Sequence, residues 1–444
     1  MSLRLRRGGA GTAPPAPNVY GPTFGVATVR AGAAPQAVTV FSGIPGTDFT
    51  QLNPANSQAT NQSAITNDTT GKVWWPKGTY NVTGSQYTFK ANTEYRWESI
   101  AGLTRTSADT AVVNGPGNAA GSFDAVGITT ANTTFKGGKW QNFTSGIGVG
   151  TVGAAILEDI EVTNMFNVGM ALMGTNSRAT RCHINSIGSL GILSAGSSPA
   201  NISNITIEYC KVSNCNTRHL ATGIDSGAVK ILFVNDQTVS YNWIDANYGN
   251  GLWWDTRCYD LVIEENVVEN QFNNIEDWQD GIVLEEINGG TIVRHNALFN
   301  NGSTSGDLGF SQLAVSRSNA TLRGATAEIL ITKNLFDCTD GREAHIGLFN
   351  SSADPNLFCK GIQVIDNDIS MRHATATSKV GSSTTTIDAP ATYNNFFLGN
   401  KYHVTSLSLS MWHWDTTMFT PVSWASWQAL GHDSDASGAT RVVI

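Results

Sequence analysis

Short stretches of alternating apolar and polar residues recur along most of the chain, and a polar corner precedes each one. The corner is Asn in most copies, as in ENVV at 265–268 and HNAL at 295–298. Two earlier copies carry Cys there, namely Cys182 and Cys210. A second strand of the form Gly-apolar-x-apolar follows in many periods, for example GLWW at 251–254. Successive corners lie 22 to 38 residues apart, at positions 138, 160, 182, 210, 242, 266, 296, 334, 367 and 400.

This repeat predicts a parallel β-solenoid whose coils each hold three short strands. Stacked coils place equivalent residues about 4.8 Å apart, so the corner asparagines can form a hydrogen-bonded ladder. The ladder position accounts for the burial of Cys182 and Cys210 without a disulfide or a metal. Periods longer than 22 residues indicate loops inserted at fixed corners, where function usually resides. A sandwich or propeller would need hairpin or blade repeats that the sequence lacks.

Composition supports an all-β chain whose polar surface is built mainly from neutral side chains. Only 14% of residues are charged, whereas Gly alone contributes 45 residues. The 41% hydrophobic content excludes wholesale disorder, and abundant Asn, Ser, Thr and Gly argue against a helical protein. The formal net charge of -8 argues against a nucleic-acid partner.

The sequence carries little sign of export or of metal binding. The basic residues Arg4, Arg6 and Arg7 are followed by a Gly/Pro-rich run without an apolar segment. We therefore expect neither a secretory signal nor a membrane span. The six cysteines lack CxxC spacing, which argues against a zinc site and predicts buried free thiols.

The segment VWWPKGTYNV at 73–82 gives the repeat a family resemblance. It resembles the opening strand of right-handed β-helix proteins of the pectate-lyase-like superfamily, and with the corner repeats the resemblance covers about 70–405. The resemblance implies an all-β, right-handed, single-stranded parallel β-helix. It does not specify function, because this superfamily holds lyases, hydrolases, epimerases, phage tailspikes and inert scaffolds.

The chain divides into four predicted parts. Residues 1–40 form an extended N-terminal arm or anchor, and 41–70 form an N-terminal cap and lead-in. Residues 71–405 form the β-helix, and 406–444 form a Trp-rich C-terminal capping segment. A short helix at 424–430, capped by Ser423, should cover the open end of the solenoid, although its tryptophans also suit a sugar-stacking platform.

The outer face of three successive coils carries the principal candidate site. Alternation along GLWWD at 251–255 places Trp253 and Asp255 outside. Lys230 lies outside one coil earlier and Glu285 one coil later, with Arg317 at the edge. We predict Asp255 and Glu285 as catalytic carboxylates about 5 Å apart, the separation of retaining glycosidases.

Further acidic and aromatic residues lie in loops at the same level of the predicted helix. Asp225, Trp278 and Asp280 join Trp253, Lys230 and Arg317 as predicted substrate-binding residues, with Glu276 nearby. No cofactor is required, although an oxygen-rich cluster of Asp277, Asp280 and Glu286 would also suit Ca²⁺. A solvated polar face without function remains the alternative to either site.

Other polar residues form weaker candidates. A neighbouring face could assemble an acid/base set from Arg342, Glu343, His345, His295 and Asp307. His432 and Asp433 follow the predicted helix, where a turn accounts for them. The sequence lacks the polygalacturonase-like Asp-Asp pair, Gly-His-Gly and Arg-x-Lys. WDTR at 254–257 lacks the histidine of the pectate-lyase-like Trp-x-Asp-His segment, which argues against a familiar pectin-cleaving site.

The resemblance and the missing export signal together favour a phage tail or virion protein of tailspike or tail-fibre type. Such a protein would be a homotrimer, would contact other virion proteins through its N-terminal arm, and would bind or degrade host surface polysaccharide. One alternative is a secreted bacterial polysaccharide lyase or glycoside hydrolase, with extracellular localisation. Another is a purely structural virion component.

Overall fold

The computed structural model of the chain consists of three long parallel sheets wound as successive coils. The structure describes residues 26–443, apart from 84, 121–123, 152, 197–200, 220–226, 272–279, 288, 302–310, 318–325, 339–343, 351–358, 372–378, 385–394, 409, 411, 416–421 and 435–437. Within these residues, a coil typically passes through sheet 1, then sheet 2, then sheet 3. This order confirms the predicted parallel β-helix.

The strands are numbered in chain order. Sheet 1 contains β1 Thr50–Gln51, β2 Lys72–Trp75, β4 Glu94–Trp97, β7 Thr133–Gly137, β10 Ala155–Glu158, β13 Arg178–Thr180, β16 Ile202–Ser203, β17 Thr206–Glu208, β20 Val234–Ser240, β23 Tyr259–Glu264, β26 Thr291–Arg294, β29 Thr326–Thr332, β32 Cys359–Ile365 and β35 Phe396–Leu398. Sheet 2 contains β3 Gly78–Asn81, β5 Ala111–Asn114, β8 Lys139–Gln141, β11 Glu161–Met165, β14 His183–Ile187, β18 Lys211–Ser213, β21 Trp243–Asp245, β24 Val267–Glu269, β27 Ala297–Phe299, β30 Leu335–Cys338, β33 Asp368–Met371, β36 Lys401–Val404 and β38 Thr440–Val443. Sheet 3 contains β6 Val126–Ile128, β9 Ile147–Val149, β12 Met170–Leu172, β15 Ile192–Ala195, β19 Gly227–Leu232, β22 Asn250–Asp255, β25 Ile282–Glu285, β28 Ser311–Arg317, β31 Ala344–Asn350, β34 Lys379–Thr384 and β37 Trp412–Asp415.

The described helices are short and lie near the ends of the chain: α1 Val26–Gly32, α2 Gln58–Asn67 and α3 Trp424–Ala429. Within the described residues, no helix is both long and apolar enough to cross a membrane.

The interior side chains of all coils merge into one hydrophobic core that extends from Leu52 to Trp427. The first coils are filled with aromatic rings. Trp75 and Trp97 are register partners in adjacent coils and stack with ring centroids 5.2 Å apart, and Phe135 stacks on Trp97 at 5.2 Å. Stacked and edge-on aromatic rings of successive coils thus fill this part of the core.

Asparagines at one corner form the predicted ladder. The Oδ1 atom of Asn266 accepts both the backbone N–H and the side-chain Nδ2–H of Asn242, at 3.0 and 2.9 Å. The same arrangement continues through Asn296, Asn334, Asn367 and Asn400. Each amide also donates to a backbone carbonyl, as from Asn296 to Ile263 at 2.9 Å. The asparagines of this buried corner therefore satisfy one another's polar groups and those of the backbone.

Asp433 ends this ladder, which corrects the interpretation of His432 and Asp433 as a simple turn. Both residues are fully buried. No further ladder asparagine follows Asn400 in the described chain. The Asp433 carboxylate therefore accepts the hydrogen bonds of Asn400 that the next asparagine would otherwise accept. Burial raises the pKa of Asp433, although its hydrogen bonds act in the opposite direction.

The residue before each ladder position has a left-handed backbone conformation, and neighbouring coils carry complementary side chains there. Asp159 accepts from Arg181 at 2.8 Å. Tyr209 and Tyr241 stack 4.8 Å apart with their rings inclined by 4°. At these corners, side chains of neighbouring coils are thus paired with one another.

The described cysteine side chains, those of Cys182, Cys210, Cys215, Cys258 and Cys359, are free and buried, as predicted. Cys182 and Cys210 precede Asn242 in the ladder, and the Cys210 N–H donates to Asn242 Oδ1 at 2.9 Å. Burial raises the pKa of the Cys182 thiol, and the neighbouring Cys210 raises it further.

The ends of the chain pack on the β-helix. Part of the predicted extended arm is helical, since α1 spans Val26–Gly32 and ends shortly before Pro35. At the other end, Ser423 Oγ accepts from the N–H of Ser426 at 3.2 Å and starts α3. Trp427 of α3 is fully buried. The four domain boundaries stay a prediction, and β38 extends sheet 2 beyond residue 405.

Candidate functional site

The outer face of sheet 3 brings together four of the predicted site residues on three successive coils. Lys230 of β19 is the register partner of Trp253 of β22. Trp254 is the register partner of Leu284 of β25, so the next residues, Asp255 and Glu285, follow side by side. We call Lys230, Trp253, Asp255 and Glu285 the sheet 3 cluster. Alternation explains its orientation, because Leu252, Trp254 and Leu284 belong to the core.

The ammonium of Lys230 lies between an aromatic ring and a carboxylate. Its Nζ is 3.9 Å from the centroid of the Trp253 ring and 3.4 Å from Asp255 Oδ2. The Lys230 side chain is 4% exposed, so both contacts act in a largely desolvated setting, where cation–π attraction is strongest. The other oxygen of Asp255 accepts from Thr256 Oγ1 at 2.7 Å. Asp255 is therefore held in one orientation.

Trp253 fixes the second carboxylate. Its Nε1–H donates to Glu285 Oε2 at 3.1 Å. Adjacent parallel strands are about 4.8 Å apart, so Asp255 and Glu285 begin from neighbouring backbone positions. Two carboxylates placed in this way can share a proton or divide acid and base roles in hydrolysis.

The sheet 3 cluster is mostly removed from solvent. Trp253 is 2% exposed and Glu285 is 6% exposed, whereas the side chain of Asp255 keeps 18% of its surface exposed. Trp253, predicted to bind substrate, lies on the outer face as expected, but its ring is covered. Asp255 is therefore the member most open to a ligand.

Asp280 does not lie with the cluster on the outer face. It sits on an inner corner of the coil and is fully buried. Its N–H donates to Asn250 Oδ1 at 2.9 Å, and its Oδ1 accepts from the N–H of Ser311. Burial raises the pKa of Asp280 well above its usual range, and Glu285 raises it further. A fully buried carboxyl is out of reach of a saccharide that binds from solvent.

Several other predicted site residues lie outside the described part of the chain. These are Asp225, Glu276, Asp277, Trp278, Asp307, Arg342 and Glu343. The structure gives the strand positions of Arg317 in β28 and His345 in β31 but not their side chains. Their predicted roles remain predictions.

The remaining predicted candidates are separate from the cluster. Glu286 is 8% exposed and has a left-handed backbone at the end of β25. His295 lies at the ladder corner, where its Nδ1 is 3.3 Å from Glu265 Oε1. Among the described residues, no group of three or more His, Cys, Asp or Glu side chains is arranged to hold a metal ion.

Sequence reasoning missed a matching group on sheet 2, which we call the sheet 2 cluster: Lys211, Trp243, Asp245 and Glu269. Trp243 Nε1 donates to Glu269 Oε1 at 2.8 Å, and Lys211 Nζ lies 3.6 Å from the centroid of the Trp243 ring. Aligning successive coils gives the signal for it. On both sheets, a Lys in one coil is aligned with the Trp of a Trp-x-Asp segment in the next coil. That Trp is aligned in turn with the Val of a Val-x-Glu segment in the coil after it.

Comparisons with known proteins agree with this architecture. The family model described as "Right handed beta helix region" matches residues 200–336. No curated protein matches the chain by sequence.

Three solved structures resemble the chain in fold at low sequence identity. The Dettilon tailspike protein is 11% identical with a TM-score of 0.54, over 89% of this chain and 68% of that one. The catalytic unit of an alpha-1,3-glucanase from Streptomyces thermodiastaticus is 13% identical with a TM-score of 0.54, over 91% and 70%. A double mutant of the tailspike of E. coli bacteriophage HK620 is 12% identical with a TM-score of 0.53, over 82% and 75%. Together with the coil geometry, these matches establish the fold of the chain as a right-handed parallel β-helix.

Proposed function

We propose that the chain is a virion protein of the phage tailspike type that binds a surface polysaccharide of its host at the sheet 3 cluster. The observation that carries the proposal is the bond from Trp253 Nε1 to Glu285, which fixes an outward carboxylate next to Asp255. Carboxylates held rigidly on successive coils are good acceptors for sugar hydroxyl groups. Two tailspike proteins with the same fold support this proposal over a different use of the fold.

Within this site, the four residues have different roles. Asp255 is the most exposed member and contacts the saccharide, and Glu285 contacts it from the next coil. Trp253 and Lys230 are positioning residues, because their side chains are buried and each holds a carboxylate. The assembly would be a homotrimer that contacts other virion proteins through its N-terminal arm, residues 1–40.

Hydrolysis of the bound polysaccharide is a second candidate function. Asp255 and Glu285 follow register partners on adjacent strands, and the strand spacing of about 4.8 Å is compatible with the separation of about 5 Å between the carboxyl groups of a retaining glycosidase. The similarity in fold to an alpha-1,3-glucanase supports it. Release of reducing ends from a bound glycan would demonstrate it, whereas release of unsaturated uronate would indicate a lyase instead.

A glycan array tests the binding proposal. We expect the wild-type chain to retain at least one bacterial O-antigen or capsular glycan, and Asp255→Asn and Glu285→Gln to reduce retention about tenfold or more. Glu264→Gln is the matched control, since Glu264 is an ion-paired carboxylate on the outer face of sheet 1. Retention unchanged in both cluster variants would show that the site lies elsewhere. A monomer in native mass spectrometry would contradict the trimer.

A further inference from the structure

The sheet 2 cluster repeats the chemistry of the sheet 3 cluster on the same three coils. In each cluster a lysine ammonium lies within 4 Å of a tryptophan centroid, at 3.6 and 3.9 Å. In each, the indole N–H donates to a glutamate of the next coil, at 2.8 and 3.1 Å. An aspartate follows each tryptophan by two positions, and Asp245 is the register partner of Glu269. The two faces therefore present the same arrangement of ring and carboxylates.

A residue from the N-terminal segment covers the sheet 2 cluster. Arg30 of α1 donates from Nε to Glu269 Oε1 at 3.1 Å, and its terminal nitrogen contacts Glu269 Oε2. Its guanidinium carbon is 5.6 Å from the centroid of the Trp243 ring. The guanidinium thus lies where a ligand would meet both the ring and the carboxylate.

The attachment of α1 is weak compared with that of the chain that follows it. Val29 is its buried residue, and the side chain of Arg30 remains 40% exposed. Water competes for the exposed guanidinium of this ion pair, whereas the Glu269 side chain is only 9% exposed. One buried side chain and one half-exposed ion pair therefore hold α1 on the surface, fewer contacts than hold the chain that follows.

The chain after α1 is fastened firmly. The N–H of Gln36 donates to Asp159 Oδ1 at 2.7 Å, and the carbonyl of Gln36 accepts from the buried Arg105 at 3.0 Å. Val38 pairs with Ser99 in an isolated bridge. Gln36 is thus held in place on the β-helix, and the seven residues of α1 on its N-terminal side can move relative to it.

We propose that the sheet 2 cluster is a second saccharide subsite, which α1 closes with Arg30 as its intramolecular occupant. When α1 swings away, the carboxylates of Asp245 and Glu269 accept sugar hydroxyl groups and Trp243 offers its ring to the C–H face of a pyranose. The inference rests on the proposed function, because it assigns to this cluster the ligand class proposed for the sheet 3 cluster.

Indole NMR of the full chain tests both sites separately. Tryptophan is labelled with ¹⁵N, and the Nε1–H resonances of Trp243 and Trp253 are assigned by Trp→Phe substitution at each position. Methyl α-D-glucopyranoside and N-acetylglucosamine serve as probes. In Arg30→Gln, we expect the Trp243 resonance to shift at about tenfold lower probe concentration than in the wild type, because the open state is more populated.

Two further variants complete the design. Arg294→Gln is the matched control, since Arg294 forms a comparable outward ion pair with Glu264 on sheet 1 of these coils, and it should titrate like the wild type. Val29→Asp in combination with Arg30→Gln forces α1 off the surface. No shift of the Trp243 resonance with either probe in this double variant overturns the second subsite.

The response of Trp253 separates this inference from the proposed function. A shift of Trp253 without a shift of Trp243 in the double variant supports the sheet 3 site and overturns the second subsite. A shift of Trp243 alone supports the second subsite and counts against the sheet 3 cluster as a saccharide site. If neither the Trp243 nor the Trp253 resonance shifts, both the sheet 3 site and the second subsite are overturned.

Discussion

The carboxylate of Asp433 terminates the ladder at Asn400. Its Oδ1 accepts both the backbone N–H and the side-chain Nδ2–H of Asn400, at 3.1 and 3.0 Å. Its Oδ2 accepts from Tyr402 Oη at 2.6 Å and from Trp427 Nε1 at 3.1 Å. One buried carboxylate therefore joins the last coil to helix α3 and to the inward tyrosine of β36.

Asp433→Asn should destabilise the chain although the two side chains have the same shape. The amide oxygen can still accept from Asn400, but the amide nitrogen would face the indole N–H of Trp427, which can only donate. An unsatisfied buried donor costs about 1–3 kcal/mol, which a urea unfolding curve would measure. Asp366→Asn is the control, because Asp366 is exposed with a left-handed backbone that Asn adopts readily. Equal loss in both variants would contradict the ladder-end role.

Cys210→Asn should extend the ladder by one position. The Cys210 thiol already points at the Ala179 carbonyl, at 3.7 Å, much as the Asn242 amide donates to the Ile207 carbonyl at 2.9 Å. The new amide could also donate to Asn242 Oδ1. We expect a stability gain of about 1 kcal/mol by thermal or urea unfolding.

Cys258→Asn provides the contrast for this extension. Cys258 is also buried, but it lies outside the ladder. The same substitution there should cost about 1–3 kcal/mol, because a buried amide would lack its full set of partners. A gain at Cys258, or a loss at Cys210, would show that the ladder geometry does not govern these positions.

The stability of the chain should depend on the protonation of His183. Burial lowers the pKa of this histidine from 6.5 to about 4, and its Nδ1 lies 2.8 Å from the Leu103 carbonyl. The unfolded chain binds the proton at higher pH than the folded chain, so this contribution to stability is lost as pH falls from about 6.5 to about 4. The loss approaches about 3 kcal/mol.

His183→Asn isolates this effect, since the Asn amide can donate to the same carbonyl without titrating. The difference in unfolding free energy between wild type and variant, measured from pH 7 to 4, should change in favour of the variant as pH falls. Raised-pKa acids such as Glu161 act in the opposite direction in both proteins, so they cancel in the difference. A pH-independent difference would mean that His183 titrates normally.

Lys230 and Asp255 should be energetically coupled. Their charged atoms are 3.4 Å apart, and their side chains are 4% and 18% exposed. A double-mutant cycle with Lys230→Met and Asp255→Asn should give a coupling of about 1–3 kcal/mol by urea unfolding.

A second cycle gives the exposed reference. Lys401 and Asp368 are 3.7 Å apart with side chains 47% and 43% exposed, and the same substitutions there should couple by less than about 0.5 kcal/mol. Couplings of equal size in the two cycles would mean that the sheet 3 cluster is as hydrated as the surface.

The coils could be predicted from sequence because the ladder requires one residue type at one position. Asn266 and Asn296 each need an identical neighbour above and below, so the requirement leaves a visible period. Strand alternation then placed Trp253 outside and Trp254 inside, as the structure shows.

Burial of the outer face and contacts between distant segments were not predictable in this way. Alternation assigns a side chain to a face but does not reveal whether that face is covered, and Trp253 is 2% exposed. The pair Arg30–Glu269 joins residues 239 positions apart, and no local pattern encodes it. Asp433 was misinterpreted because a carboxylate at the ladder end breaks the asparagine pattern that identified the ladder.

The corner pairs set the unit in which this solenoid can lengthen. Asp159 faces Arg181, Tyr209 stacks on Tyr241, and Glu265 faces His295. Duplication of the coil that carries Asp159 would place two aspartates in adjacent coils, and duplication of the coil that carries Glu265 would place two glutamates there. Like charges in adjacent coils repel each other. Copying two coils together would keep every partner. At the Asp159–Arg181 and Glu265–His295 corners, insertions and deletions of coil pairs should therefore be accepted where those of single coils are not.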